Sequence, residues 1–188
     1  MARPKEFETD KALGAAIKVF GEHGFAGTSA GMLTDAMGIG RQSLYDTFGD
    51  KWQFYCLAVQ SYSESETSAH IAALGEGDRA IDGIRAMIAR VVATARRPCL
   101  GSSSVSEFGS KQKDLADARA PSAQRLQRAL TDSIVAAQAE GGVAGDVAPP
   151  ELAAFLIAQI AAIRLAARGG ATHAALASLA QCALRALG

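Results

Sequence analysis

The sequence predicts an all-α protein, and three observations carry that prediction. Sustained alternation of apolar and polar residues, the mark of a half-buried strand, is almost missing from the 188 residues. Alanine, the strongest helix former, dominates the second half. Apolar residues recur at helical spacing between recognisable capping and breaking residues.

Taken in order, a first helix over residues 9–23 buries Leu13, Ile17, Val19 and Phe20 and stops at Gly24, a residue suited to a left-handed helix end. Thr28 is expected to cap a second helix, Gly38 to make the turn after it, and residues 41–48 to form a third. Asp50 with Gln53 three residues on is a capping box, which starts a long fourth helix reaching Leu74. After a break at residues 75–78, Ile81, Ile84, Met87, Ile88 and Val91 or Val92 give residues 80–96 helical periodicity. Pro98 ends that helix or starts the next element. Residues 99–113, rich in serine, are expected to be helical, and residues 121–140 carry a stripe of Leu126, Leu130, Ile134 and Val135. A turn-rich linker at 141–150 leads to two alanine-rich helices, 151–168 and 172–187, parted by Gly169 and Gly170. Their small side chains suit a close helix-helix contact.

Composition narrows the function classes. An apolar share of 49% fits a packed globular chain. The longest apolar stretch, 152–167, is interrupted by Gln159 and Arg164 and falls short of the about 18 residues of a membrane span. The N-terminus lacks the apolar core of a signal peptide, so the expected location is cytoplasmic, with no membrane partner. Cys56, Cys99 and Cys182 are widely separated and form neither a disulfide framework nor a zinc spacing. His23, His70 and His173 share no metal-ligand spacing and read as surface or helix-end residues; neither a metal nor a cofactor is implied.

Residues 28–52 read as two short helices joined by a glycine-bearing turn and running into a third, a helix-turn-helix signature. Leu33, Ala36, Ile39, Leu44 and Phe48 are spaced to hold the two helices at their angle. Gly40, Arg41, Gln42, Ser43, Tyr45 and Asp46 are left to point outward, as short or hydrogen-bonding types suited to phosphates and base edges. Charge counts against a nucleic-acid role: the chain is neutral, and residues 1–52 hold six basic and seven acidic side chains. A DNA-binding surface then needs its positive groups sorted onto one face, with Arg3 and Lys5 on a flexible arm, Arg41 on the recognition helix and Lys51 at the next helix start.

Phe20, Gly24, Phe25, Thr28 and Ser29, then Gly38, Ile39, Leu44, Tyr45, Phe48 and Lys51, make this pattern resemble the TetR family of bacterial transcriptional regulators. The resemblance covers the first quarter to third of the chain. It implies a DNA-binding domain at 1–49 with three helices and a helical effector-binding and dimerisation domain at 50–188. It also implies a homodimer joined through 151–168 and 172–187 as a four-helix bundle. Such a dimer binds a near-palindromic operator of double-stranded DNA and leaves it when a small-molecule effector changes the separation of the recognition helices. Carried over by position, the DNA-binding residues are Thr28, Gly40, Arg41, Gln42, Ser43, Tyr45 and Lys51. For Tyr45 the resemblance implies a phosphate contact; otherwise its ring packs over the helix-turn-helix core. Arg41 and Gln42 are base readers or solvated helix-face residues. Asp46 departs from the aromatic or histidine usual in the family, and its carboxylate accepts from cytosine while repelling phosphate.

Cys99 is the sharpest effector candidate. It follows Pro98 at an expected helix start, where backbone amides favour a thiolate, and Arg96 and Arg97 lie just before it. Some members of the family sense oxidants or electrophiles through a cysteine near the start of the sixth helix. The bland reading is a small core residue, as for Cys56 and Cys182. Tyr62, Met87, Phe108 and Phe155, with Tyr55 and Val91, are candidates for an apolar effector pocket, and Ser102 to Ser106 and Glu107 for its polar anchors. Two other classes compete with a regulator: a helical thiol enzyme using Cys99, and a dimeric small-molecule carrier whose DNA binding is vestigial.

Overall fold

The computed structural model describes residues 3–188, with side chains from Thr9 onward. Every regular element among the described residues is a helix: α1 (Arg3–Gly27), α2 (Ala30–Met37), α3 (Arg41–Phe48), α4 (Lys51–Leu74), α5 (Ala80–Thr94), α6 (Leu100–Phe108), α7 (Lys113–Ala139), α8 (Pro149–Arg168) and α9 (His173–Arg185).

Local signals explain most of the boundaries. The Asp50 and Gln53 capping box is formed in both directions, Gln53 N–H to Asp50 Oδ1 at 2.8 Å and Asp50 N–H to Gln53 Oε1 at 3.0 Å. Gly38 closes α2 in the left-handed conformation, φ 67° and ψ 31°, which an L side chain resists. Thr172 caps α9 by accepting from the Ala175 amide at 3.2 Å.

Several boundaries and placements differ from the sequence reading. α1 starts at Arg3, so the backbone at Arg3 and Lys5 is helical and not an arm; the side chains of both lie outside the described residues. The cap of α2 is Ser29, extended at φ −96° and ψ 160°, whose Oγ accepts from the Met32 amide at 3.2 Å. Thr28 is instead 2% exposed and donates its hydroxyl back to the Gly24 carbonyl at 2.6 Å. α7 begins at Lys113, with Pro121 inside it. A proline there removes one helix bond, and the flanking turns, anchored by Leu115 before it and by Leu130 and Ile134 after it, carry the helix through. Ala36 is exposed, leaving the turn to be held by Leu33, Leu44 and Phe48 with the partly buried Ile39, and Val135 and Cys182 are exposed as well. His70 is buried, not at the surface.

Packing groups the chain into two compact units, Met1–Glu64 with Pro98–Pro121, and Ser65–Arg97 with Ser122–Gly188. These lines differ from the expected division after residue 49, which separates the helix-turn-helix by sequence alone. The core of the first unit gathers Ala16 and Phe20 of α1, Leu33, Leu44 and Phe48 of the helix-turn-helix, Phe54, Tyr55 and Val59 of α4, and Leu100 of α6. The Phe48 and Phe54 rings stack with centroids 4.2 Å apart, and Phe20 meets Phe54 edge-on at 5.9 Å. The core of the second unit is built from Ile81, Ile84, Ile88 and Val91 of α5, Leu130 and Ile134 of α7, Leu156, Ile160 and Ile163 of α8, and Leu176 of α9. α8 is long and apolar enough to cross a membrane by composition, yet one side of it is buried in this core, as in a core helix.

Candidate nucleic-acid interface

The candidate interface is built from the residues that the helix-turn-helix core leaves outside. In α3 only Leu44 and Phe48 are buried; Arg41, Gln42, Ser43, Tyr45, Asp46 and Thr47 are exposed. Leu33 from α2 lies in the same core, so the two short helices are held through their apolar sides while α3 keeps its polar side in solvent. Gly40 enters α3 in extended conformation without a side-chain cap, which leaves first-turn amides available to an anion.

The candidates are held differently. Tyr45 is 41% exposed, its ring partly laid on the core. It lines one shallow depression together with Ala30, Asp50 and Lys51, so Tyr45 and Lys51 are brought together. Lys51 Nζ sits 4.4 Å from the centre of the Phe25 ring, a cation-π contact that fixes its position at the start of α4. Gln42 donates from Nε2 to Asp46 Oδ1 at 2.8 Å along one helix face. That bond fixes where the carboxylate sits without removing its charge, and leaves Gln42 an acceptor oxygen and one N–H. Thr28 offers neither group outward: its hydroxyl is on Gly24 and its amide on the Phe25 carbonyl at 3.3 Å. Ser29, not weighed individually in the sequence reading, occupies the helix end that Thr28 was expected to hold.

The effector candidates fall into both units. In the first, Phe108 belongs to a ring cluster with Phe25, Trp52 and Tyr55, and Tyr62 packs against the same core. The Tyr55 hydroxyl is buried without a hydrogen-bond partner, and burial, then the Glu107 charge, pushes its ionisation well above the usual phenol range. Cys99 caps α6 as expected for a helix start: its sulfur accepts from the Ser102 amide at 3.5 Å and its thiol faces Ser102 Oγ at 3.3 Å. It is 9% exposed. Ser104 is buried and takes Arg119 at 3.3 Å, while Glu107 is engaged by backbone amides of α1. In the second unit Met87 and Val91 are core residues, and Phe155 is a partly buried residue at the edge of the same core.

The sequence reading missed a charged cluster in the second unit. Glu66 of α4 accepts from Arg90 at 3.0 Å and from Arg164 at 2.8 Å, although Arg164 is 3% exposed. Burial raises the Glu66 carboxyl, but the two arginines outweigh it and hold it below its ordinary range. His70 is one turn on from Glu66. Burial first, then the Arg90 charge, pushes it down from 6.5 to about 4. It is therefore neutral, and Arg90 donates to its Nδ1 at 3.3 Å, which leaves the proton on Nε2 towards Glu66 at 3.9 Å. The available signal was Arg164 itself, a guanidinium interrupting an apolar helix.

A family model described as "Bacterial regulatory proteins, tetR family" matches residues 12–55, which end in the capped start of α4 and contain the whole of α2 and α3. Through this segment the chain is similar to the TetR family. YezE of Bacillus subtilis (strain 168), an uncharacterized HTH-type transcriptional regulator, is 42% identical over 98 residues, 52% of this chain and 50% of that protein. The HTH-type transcriptional repressor ComR of Escherichia coli (strain K12) is 26% identical over 189 residues, covering 97% of this chain and 90% of ComR. Among solved structures, a cysteine mutant of the TetR family transcriptional regulator CifR, complexed with 26-base-pair double-strand operator DNA, superposes with a TM-score of 0.81 at 25% identity. That alignment covers 95% of this chain and 96% of CifR. The fold extends this likeness to TetR-family transcriptional regulators beyond the matched residues into the C-terminal helices.

Proposed function

We propose that this chain is a TetR-family regulator, a homodimeric repressor that binds a near-palindromic operator through α3 and leaves it in response to an effector or to modification of Cys99. The observation that carries the reading is the division of α3 into a buried side, Leu44 and Phe48, and a solvent side with Arg41, Gln42, Ser43 and Tyr45. Arg41 and Gln42 read bases, while Tyr45, Ser43, Lys51 and the amides after Gly40 take phosphates. Thr28 contributes by shaping the turn before Ser29. The likeness to the repressor ComR and to CifR in complex with operator DNA supports the same role. Acting on the genome places the protein in the cytoplasm.

Pairing through α8 and α9 is supported by what they leave uncovered. Ala154, Ala158, Ala161 and Leu165 follow one face of α8, with Leu165 70% exposed; Ala175, Leu179 and Cys182 follow one face of α9. Small residues beside large exposed ones suit a close helix-helix contact in a dimer. For Cys99, the capping sulfur receives an amide N–H at the start of α6, and its side-chain partner is Ser102 rather than an activating base of a thiol enzyme.

The test is a gel-shift titration on the DNA upstream of the protein's own gene, at about physiological salt with excess random competitor. The expected result is a discrete complex that resists competitor and is lost after treatment with a thiol oxidant in the wild type but not in Cys99→Ser. A complex that competitor abolishes supports the carrier reading in place of the repressor. A complex equally sensitive to oxidant in both proteins removes Cys99 from the mechanism.

A further inference from the structure

We propose that Glu107, at the far end of α6 from Cys99, is a positioning residue for operator binding, a role that rests on the repressor reading above. The chain kinks at Gly24, φ 69° and ψ −179°, so the amides that follow have lost the carbonyls a continuous helix would offer them. Glu107 replaces those carbonyls from far away in sequence. Its Oε2 accepts from the Phe25 amide at 3.1 Å and its Oε1 from the Ala26 amide at 3.0 Å, across 82 and 81 residues. One carboxylate thus caps two successive amides, the charge-assisted arrangement that a helix N-terminus favours.

The same turn is gripped by rings from three sides. Phe25 meets Trp52 at 5.2 Å, Tyr55 at 5.2 Å and Phe108, the neighbour of Glu107, at 5.7 Å. Gly24 is adapted to this contact twice over. Its φ is positive, and a Cβ there would lie 3.2 Å from Glu107 Oε2. From this fixed turn the chain runs through Thr28, bonded back to Gly24 and Phe25, directly to Ser29, the cap of α2. The position of the helix-turn-helix is therefore set where Glu107 holds the turn, and a shift of α6 transmits to α2 through this carboxylate. Glu107, which the sequence reading offered as an anchor for an effector, is committed to the backbone.

Glu107→Gln is the informative variant, because it keeps the shape but offers one acceptor and turns an N–H towards the second amide. Three quantities are read on the full-length protein: operator affinity against random DNA, hydrogen exchange at the Phe25 and Ala26 amides, and emission of Trp52, the one tryptophan in the sequence. The expected result is operator binding weakened roughly tenfold with random-DNA binding little changed, faster exchange at the two amides, and a shifted Trp52 emission, at unchanged helix content. Glu107→Ala should give the same pattern, which guards against an artefact of the glutamine. Wild-type operator affinity in both variants overturns the positioning role, as does a loss that matches the loss of folded protein. If the wild type binds no operator, the repressor reading fails and the positioning role with it; amide protection lost in Glu107→Gln then shows that the cap itself was correctly identified.

Discussion

Acidification should weaken the second unit through one side chain, His70. Its folded value of about 4 lies below the ordinary 6.5, so the unfolded chain takes up the proton first as pH falls. The stabilisation from keeping His70 neutral is complete above 6.5 and is lost progressively between 6.5 and about 4. At about 1.4 kcal/mol for each pH unit, the full loss is about 3 kcal/mol and the loss at about pH 5 is about 2 kcal/mol, from the 6.5 and about 4 above. Glu66 works in the same direction but later: its carboxyl is held below its ordinary 4.5, so its share is present above that value and disappears as pH falls through the folded one. The window above about pH 5 thus belongs to His70. The assay is urea unfolding followed by far-UV circular dichroism at about pH 7.5 and about pH 5, at one protein concentration, for the wild type and His70→Gln. Glutamine keeps an acceptor for Arg90 and cannot titrate. The wild type should lose about 2 kcal/mol more than the variant over this interval. Equal losses in the two proteins would refute the assignment of a buried neutral histidine between Arg90 and Glu66.

Other outcomes follow from single contacts. Ser29→Ala removes the α2 cap and should lower stability by about 1 kcal/mol in thermal unfolding, whereas an unchanged midpoint would return the capping role to Thr28. Tyr45→Phe should weaken operator and random DNA alike by about 1 kcal/mol for one lost hydrogen bond, while Arg41→Ala should change which bases are preferred in a selection from random operators. Equal effects of both on all sequences would argue against direct readout by α3. Leu165→Glu places a charge on the exposed face of α8 and should convert the proposed dimer to monomer in sedimentation; a wild type that sediments as a dimer with the variant unchanged in mass would move the contact elsewhere.

Much of this architecture was legible because its signals are local. The Asp50 and Gln53 box, the left-handed Gly38, the span of α3 and the start of α6 beside Cys99 each depend on residues within one turn of one another. The same short range explains why the family pattern could be recognised between Phe20 and Lys51 without any knowledge of the rest. Where two neighbours compete, local reasoning was not enough. Thr28 and Ser29 are both capping types, and burial of Thr28 against the first unit decided in favour of Ser29. Pro121 looked like a helix start, but anchored turns on both sides of it outweighed one missing hydrogen bond.

The sequence by itself determined the helical class, the helix-turn-helix and the solvent side of α3, since periodicity and capping act between near neighbours along the chain. The tertiary structure alone decided which polar groups meet: Glu66 with Arg90 and Arg164, His70 made neutral beside them, and Glu107 on the amides of Phe25 and Ala26. A carboxylate or guanidinium carries no mark in sequence of its distant partner. That partner is chosen when packing removes water and leaves each buried charge or stranded amide to whatever complementary group the fold has brought within about 3 Å.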